Sequence, residues 1–137
     1  MNAVFVDTAY WIALANPREQ WASAAKKARE KLGDVLLVTT DEVLIEFLNM
    51  LSKRGPKLRE VATRMVREIL SNPNIRTIQQ SRDSFLKGLE LYDQRADKDY
   101  SLVDCISMKT IRAECLREVL TSDNHFAQEG FTVPMRA

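Results

Sequence analysis

Ala3-Val4-Phe5-Val6-Asp7-Thr8-Ala9-Tyr10-Trp11 is the stretch from which the fold can be read. Four β-prone apolar residues make a run of the buried-strand kind, and an acid closes it. Thr8 then leads into a second apolar run, Ala9 to Ala15, so Asp7 is predicted at the carboxyl end of a strand. Further strands of the same kind are predicted at Val35-Leu36-Leu37-Val38, at Ile75 to Ile78, at Val119-Leu120-Thr121 ending near Asp123, and at Phe131-Thr132-Val133.

Helical patterns separate these strands. Asn16-Pro17-Arg18-Glu19 reads as a helix start, with Asn as cap, Pro at the first helical position and Glu three after the cap. Trp21, Ala24, Ala25, Ala28 and Leu32 continue it as one apolar stripe that Gly33 ends. Thr39-Thr40-Asp41-Glu42 offers another capping box, for a helix running to about Lys53 before Gly55-Pro56. Leu58, Val61, Ala62, Met65, Val66, Ile69 and Leu70 mark a third amphipathic helix, stopped by Ser71-Asn72-Pro73-Asn74. Ser81 to about Tyr92 and Ser101 to about Glu114 complete the longer helices, and a short turn or helix passes through Phe126. Strands alternating with helices imply right-handed crossovers and an α/β fold, a three-layer α/β/α sandwich with a mostly parallel sheet. Ligands of such sheets bind beyond the carboxyl ends of the strands, where Asp7 and Asp123 can meet.

The length of 137 residues suits one domain spanning 1–137, with no repeat, low-complexity tract or linker. No run approaches the ~20 apolar residues that a membrane span needs, so no membrane association is expected. The amino terminus has no basic prelude and meets an acid at Asp7, unlike a signal peptide, which points to the cytoplasm. Cys105 and Cys115, ten apart in one helical stretch, are too distant to pair and are expected as free thiols. Net charge is only +1, so no strongly basic nucleic-acid binder is advertised. Basic residues do cluster at Lys26-Lys27-Arg29-Lys31, Lys53-Arg54-Lys57-Arg59 and Arg64-Arg67, each of which alone reads as a solvated helix face.

Four acids carry the chemistry. Glu46 interrupts the apolar run Leu44-Ile45-Glu46-Phe47-Leu48, although it also fits an outer stripe with Glu42, Asn49 and Lys53. Asp104 follows Ser101 by three, so it can be a capping-box partner, and the start of a helix keeps such a carboxylate ionised. Asp7 and Asp123, taken singly, are ordinary strand-end turn acids. Together, carboxylates that converge without a neighbouring Lys or Arg repel one another unless a cation compensates. Oxygen-only ligands select hard ions such as Mg²⁺ or Mn²⁺, and the chemistry this supports is phosphodiester hydrolysis by metal-activated water. Asp104 is the expected bridging carboxylate if two ions bind.

Other site chemistries are disfavoured. His125 is the only histidine, so a base-and-acid histidine pair is excluded. A Cys105–His125 nucleophile and base would need a thiol that reads as buried structure. The Cys and His spacings form no zinc pattern, and no Walker loop or Gly-x-Gly-x-x-Gly is present.

The residues resemble those of a known family. Phe5-Val6-Asp7-Thr8-Ala9-Tyr10-Trp11 is similar to the opening of PIN domains, where a hydrophobic strand ends in the first catalytic Asp followed by Ser or Thr. Thr39-Thr40-Asp41-Glu42-Val43-Leu44-Ile45-Glu46 resembles their second block, Tyr100-Ser101-Leu102-Val103-Asp104 the third, and Leu120-Thr121-Ser122-Asp123-Asn124-His125-Phe126 the fourth. Bacterial and archaeal VapC toxins match best in size and layout. The resemblance implies a metal-dependent endoribonuclease using Asp7, Glu46, Asp104 and Asp123 as catalytic and metal-binding residues. It also implies frequent homodimers and a VapB-type antitoxin partner whose tail blocks the site. Some relatives carry a further acid where this chain has His125. Thr8 and Ser122 are expected to support the ligands by hydrogen bonds, Asp97 and Asp99 read as turn or cap residues, and Lys53, Arg54 and Arg64 are the expected RNA contacts. An RNA-processing nuclease without an antitoxin, or a PIN-like module that binds RNA or protein without cutting, fits the same residues.

Overall fold

The structure, a computed structural model, describes residues 2–137, and Met1 lies outside the described residues. Elements follow in the order β1 (Ala3–Val6), α1 (Thr8–Ala15), α2 (Ala22–Leu32), β2 (Leu36–Thr40), α3 (Asp41–Leu51) and α4 (Pro56–Ser71). The second half holds β3 (Ile75–Ile78), α5 (Arg82–Gln94), α6 (Leu102–Ala113), β4 (Val119–Leu120) and α7 (Asn124–Gln128), before a 3-10 turn at Pro134–Arg136. The four strands lie in the order β3-β2-β1-β4, every pairing parallel, with Phe5 opposite Val38 on one side and Val119 on the other. Helices cover the sheet to make the three-layer α/β/α sandwich. Because β2 and β4 flank β1 from opposite sides, the strand order reverses at β1, and a crevice opens there at the carboxyl ends.

The core follows from the sequence pattern. Val4, Phe5 and Val6 are fully buried, as central parallel strands with helices on both faces require. Phe47, Leu51, Met108, Ile111, Leu120 and Phe126 fill the layers on either side. Gly88 lets α5 and α6 approach closely: a Cβ there would lie 2.3 Å from Ile106 Cγ1 and 3.1 Å from the Ile106 backbone. Cys105 is buried, Cys115 exposed, and both are free. No helix among the described residues is long and apolar enough to cross a membrane.

Three local expectations are corrected. Asn16-Pro17-Arg18-Glu19 does not start a helix. Asn16 instead ends α1, its Oδ1 accepts from the Arg18 N–H and its carbonyl from the Glu19 N–H, so a local turn satisfies the groups that a helix would have used. At the start of α3 the cap is Thr40, which accepts from the Val43 N–H, and no reciprocal bond from Glu42 closes a box there. Glu42 Oε2 accepts from the Ser84 hydroxyl at the start of α5 instead. Finally, Phe131-Thr132-Val133 forms only a single parallel bridge, Thr132 to Glu118. Pro134 has no N–H with which to extend a ladder, and the chain turns away.

Candidate metal centre

Asp7 leaves β1 as the N-cap of α1 without spending its side chain on the cap. Its carboxylate is therefore available to the crevice. Oδ2 accepts from the Thr121 hydroxyl at 2.8 Å, whereas Oδ1 is buried with no hydrogen-bond partner. The Thr121 oxygen in turn accepts from the Asp123 N–H at 3.0 Å, which ties the ends of β1 and β4 together. Asp123 caps α7 by accepting from the His125 N–H at 2.9 Å.

Two helices bring the remaining acids. Along α3, Val43, Leu44, Phe47 and Leu51 bury one stripe while Ile45 faces outward, and Glu46 lies at the stripe's edge. There its Oε1 accepts from the Thr8 hydroxyl at 2.5 Å. Asp104 and Ser101 form a reciprocal capping box at the start of α6. The same Asp104 Oδ2 lies 3.1 Å from His125 Nδ1, and Asp123 Oδ1 lies 3.2 Å from that nitrogen. Capping thus leaves Asp104 on the wall of the cleft.

Asp7, Glu46, Asp104 and Asp123 line one cleft of about 470 Å³. Burial pushes the Asp7 carboxyl up to about 7, with the neighbouring Asp104 adding to the rise against the Thr121 hydrogen bond. Burial also raises the Glu46 carboxyl, and that of Asp104 despite the His125 contact. Burial leads each of these rises, and like charge on the neighbouring acids adds to it. Ligand atoms of Asp104, Asp123 and His125 all lie within 4.8 Å of one another, close enough to share a cation. Asp7 and Glu46 line the same cleft without belonging to that close group, and the unpartnered Asp7 Oδ1 is the kind of oxygen a hard divalent ion satisfies, so these residues fit a metal centre.

Thr8, adjacent to Asp7 in the chain, donates its hydroxyl to Glu46. Ser122 lines the cleft, and its backbone carbonyl accepts from Arg136. The hydroxyl that reaches Asp7 belongs to Thr121, one residue earlier, which sequence reasoning passed over. The signal was present, since a Thr two before an Asp at a strand end offers its oxygen to that residue's N–H. Asp99, read as a turn acid, also reaches the cleft wall. Of the three expected RNA contacts only Arg54 lines the cleft, 3.9 Å from Glu19. Lys53 is exposed outside it, and Arg64 lines a separate depression on α4 with Glu60, Arg67 and Glu68.

A second cluster braces the cleft from below. The Glu129 side chain, 6% exposed, accepts from Arg95 Nε at 2.6 Å, Arg112 Nη2 at 2.9 Å and the Tyr100 hydroxyl at 3.1 Å. It thereby fastens the end of α5, the approach to α6 and the end of α7 together. The Tyr100 ring rests 5.1 Å from the His125 ring, centre to centre.

Known proteins share this fold. The family model described as PIN domain matches residues 4–131. The 23S rRNA-specific endonuclease VapC20 of Mycobacterium tuberculosis is 27% identical over 128 residues, 93% of this chain and 95% of that protein. The crystal structure of M. tuberculosis VapC20, a sarcin-ricin loop cleaving toxin, superposes with a TM-score of 0.85 at 23% identity, covering 94% of this chain and 96% of that one. A toxin-antitoxin complex from Klebsiella pneumoniae matches with a TM-score of 0.62 at 21% identity, over 88% of this chain and 87% of that one.

Proposed function

This chain belongs to the PIN-domain family, and from that premise we propose that it is a metal-dependent endoribonuclease, the toxin of a type II toxin–antitoxin pair. The observation that carries this is the convergence of four carboxylates on one cleft at the switch point of the sheet, one of them with a buried oxygen left unpartnered. Asp7, Glu46, Asp104 and Asp123 would hold Mg²⁺ or Mn²⁺, with His125 as a nitrogen donor beside Asp104 and Asp123. When bound, such an ion supplies activation of water and neutralisation of charge at the scissile phosphodiester.

The chain's own residues do the rest. Thr121 and Thr8 hold the Asp7 and Glu46 carboxylates in place, leaving Asp7 Oδ1 free. Asp104 is fixed by the Ser101 N–H and the His125 ring, so its orientation is set before any ligand arrives. Arg54 is the cation on the cleft wall suited to an RNA phosphate, whereas Lys53 and Arg64 are not among the residues that line it. The likeness to a 23S rRNA-specific endonuclease along nearly its whole length makes large-subunit rRNA the first substrate to try. The 137 residues would act as one domain in the cytoplasm.

Repurified protein is expected to cut RNA with Mg²⁺ or Mn²⁺ and to lose that activity in EDTA. Mn²⁺ at a hundred times its dissociation constant should add about 2.7 kcal/mol of stability in thermal unfolding. Cleavage undiminished in EDTA would sink the metal mechanism, and Mn²⁺-induced stabilisation without any cleavage would favour a module that binds without cutting. A neighbouring gene for a short DNA-binding antitoxin separates a toxin from an RNA-processing nuclease.

The chain also presents Phe85, Leu86, Leu89 and Tyr92 exposed along α5, which favours a homodimer. Sedimentation at micromolar concentration should report twice the chain mass, and a single monomeric species throughout would remove the dimer.

A further inference from the structure

We propose that the groove between α2 and the turn at Pro134–Arg136 carries the RNA strand away from the acid cleft, with phosphates on Lys27 and Lys31 and a base against Trp21. The proposal rests on the ribonuclease reading above and names the surface that this reading lacks. The cleft wall bears Asp7, Glu19, Glu46, Asp99, Asp104 and Asp123, against Arg54 and His125. A polyanion entering such a cleft needs cations on an adjoining surface to hold the rest of its length.

The adjoining surface is a groove of about 420 Å³ walled by Trp21, Ser23, Lys27 and Lys31 on one side and Pro134 and Met135 on the other. Trp21 lines both this groove and the acid cleft. Arg136 joins them: its guanidinium carbon lies 5.3 Å from the centre of the Trp21 ring, and Nη1 donates to the Ser122 carbonyl at 2.6 Å, one residue from Asp123. The passage from site to groove is thus built of contacting residues.

Charge distinguishes this route from others. Lys27 and Lys31 are four apart on one helix face and exposed, and none of the groove's lining side chains is acidic. Among the described residues neither lysine lies within 4.0 Å of a carboxylate. The depression holding Arg64 and Arg67 on α4 also holds Glu60 and Glu68 and shares no residue with the cleft. A half-buried aromatic side chain followed by unpaired cations is the arrangement that holds a single strand without reading its sequence.

The test uses the full chain and a fluorescein-labelled single-stranded oligoribonucleotide, titrated in EDTA across a KCl series. The double variant Lys27→Ala/Lys31→Ala should bind about tenfold more weakly, and its log K against log salt slope should be shallower by roughly 1.4, about 0.7 for each phosphate released. Arg64→Ala/Arg67→Ala should stay within about twofold of the parent. With Mn²⁺, the Lys27/Lys31 variant should need more RNA for half-maximal cleavage while its saturated rate is kept, because the acids are untouched. RNA should also quench tryptophan emission, and Trp21→Phe should remove that quench, since Trp11 is buried. An α2 variant with the parent's affinity and salt slope, or equal losses from both double variants, overturns the groove while leaving the nuclease reading intact. A parent that neither binds nor cuts RNA overturns the nuclease reading itself, and the groove with it.

Discussion

Replacing Asp7 with asparagine is expected to lower RNA cleavage on the order of 10²–10³-fold while making the metal-free protein more stable at neutral pH. Both effects follow from one carboxylate. Asp7 is 3% exposed, its Oδ1 has no partner, and burial together with the neighbouring Asp104 raises its carboxyl to about 7. Because the folded value lies above the unfolded one of 3.8, the stabilising form is the protonated one. Its contribution is fully present below about pH 4 and is lost as pH rises through 7. At about 1.36 kcal/mol per unit, full ionisation withdraws on the order of 4 kcal/mol. Asparagine stays neutral, so it removes both the cost of burying a charge and the repulsion from Asp104. In EDTA, thermal unfolding of the parent should therefore fall from pH 4 to pH 8 while Asp7→Asn changes less over that range. Mn²⁺ should restore the parent and do far less for the variant. A variant that cleaves normally, or one that loses stability with pH as the parent does, would take Asp7 out of the centre.

Glu129→Ala is the second large effect, this time on the scaffold. The substitution leaves the Arg95 and Arg112 guanidinium groups without their shared carboxylate and the Tyr100 hydroxyl without its acceptor. Breaking a buried pair from one side costs about 3–5 kcal/mol, and because both arginines retain solvent contact the expected loss falls below that range, at about 2–3 kcal/mol. The two guanidinium groups hold the Glu129 carboxyl down to about 2, with the Arg95 hydrogen bond leading. A depressed carboxylate contributes stability above its unfolded value, and that contribution disappears as pH falls through the folded one. The parent should thus shed it between pH 4.5 and 2, and Glu129→Ala should show no such step. Denaturant unfolding at pH 7 and pH 2.5 measures both numbers, and equal stability of parent and variant at pH 7 would leave the cluster an ornament of the surface.

The two clusters differ in how legible they were. Asp7 ends an apolar run of strand length and Asp123 follows the short run Val119-Leu120 by three, and a parallel sheet gathers its carboxyl ends along one edge. Glu46 stands out as a charge inside an apolar helical run, yet the heptad-like spacing with Glu42, Asn49 and Lys53 allowed an outward reading until Thr8 and the edge of α3 decided its direction. Asp104 could be assigned to a cap or to the site, and the two readings are compatible because one oxygen accepts from the Ser101 N–H while facing His125. Glu129 was invisible. Its partners lie 17, 29 and 34 residues away on three different segments, and no local pattern marks an acid that pairs across such distances.

By itself the sequence determined the fold class, because buried strands and amphipathic helices differ in hydrophobic period and their alternation forces a parallel, covered sheet. Local chemistry also settled the cap at Ser101, where serine and Asp104, three residues later, each accept from the other's N–H. Tertiary structure decided the strand order β3-β2-β1-β4, and with it the switch point at β1 where the acids meet. It likewise decided that Asn16 ends a helix where its cap signal promised a start, that Thr121 rather than Ser122 reaches Asp7, and that the cleft continues along Trp21 to Lys27 and Lys31 and not toward Arg64. Periodicity and capping are read within a few residues of chain, whereas these outcomes depend on which distant groups share a low-dielectric space. There a hydrogen bond or a charge is weighed against every neighbour at once.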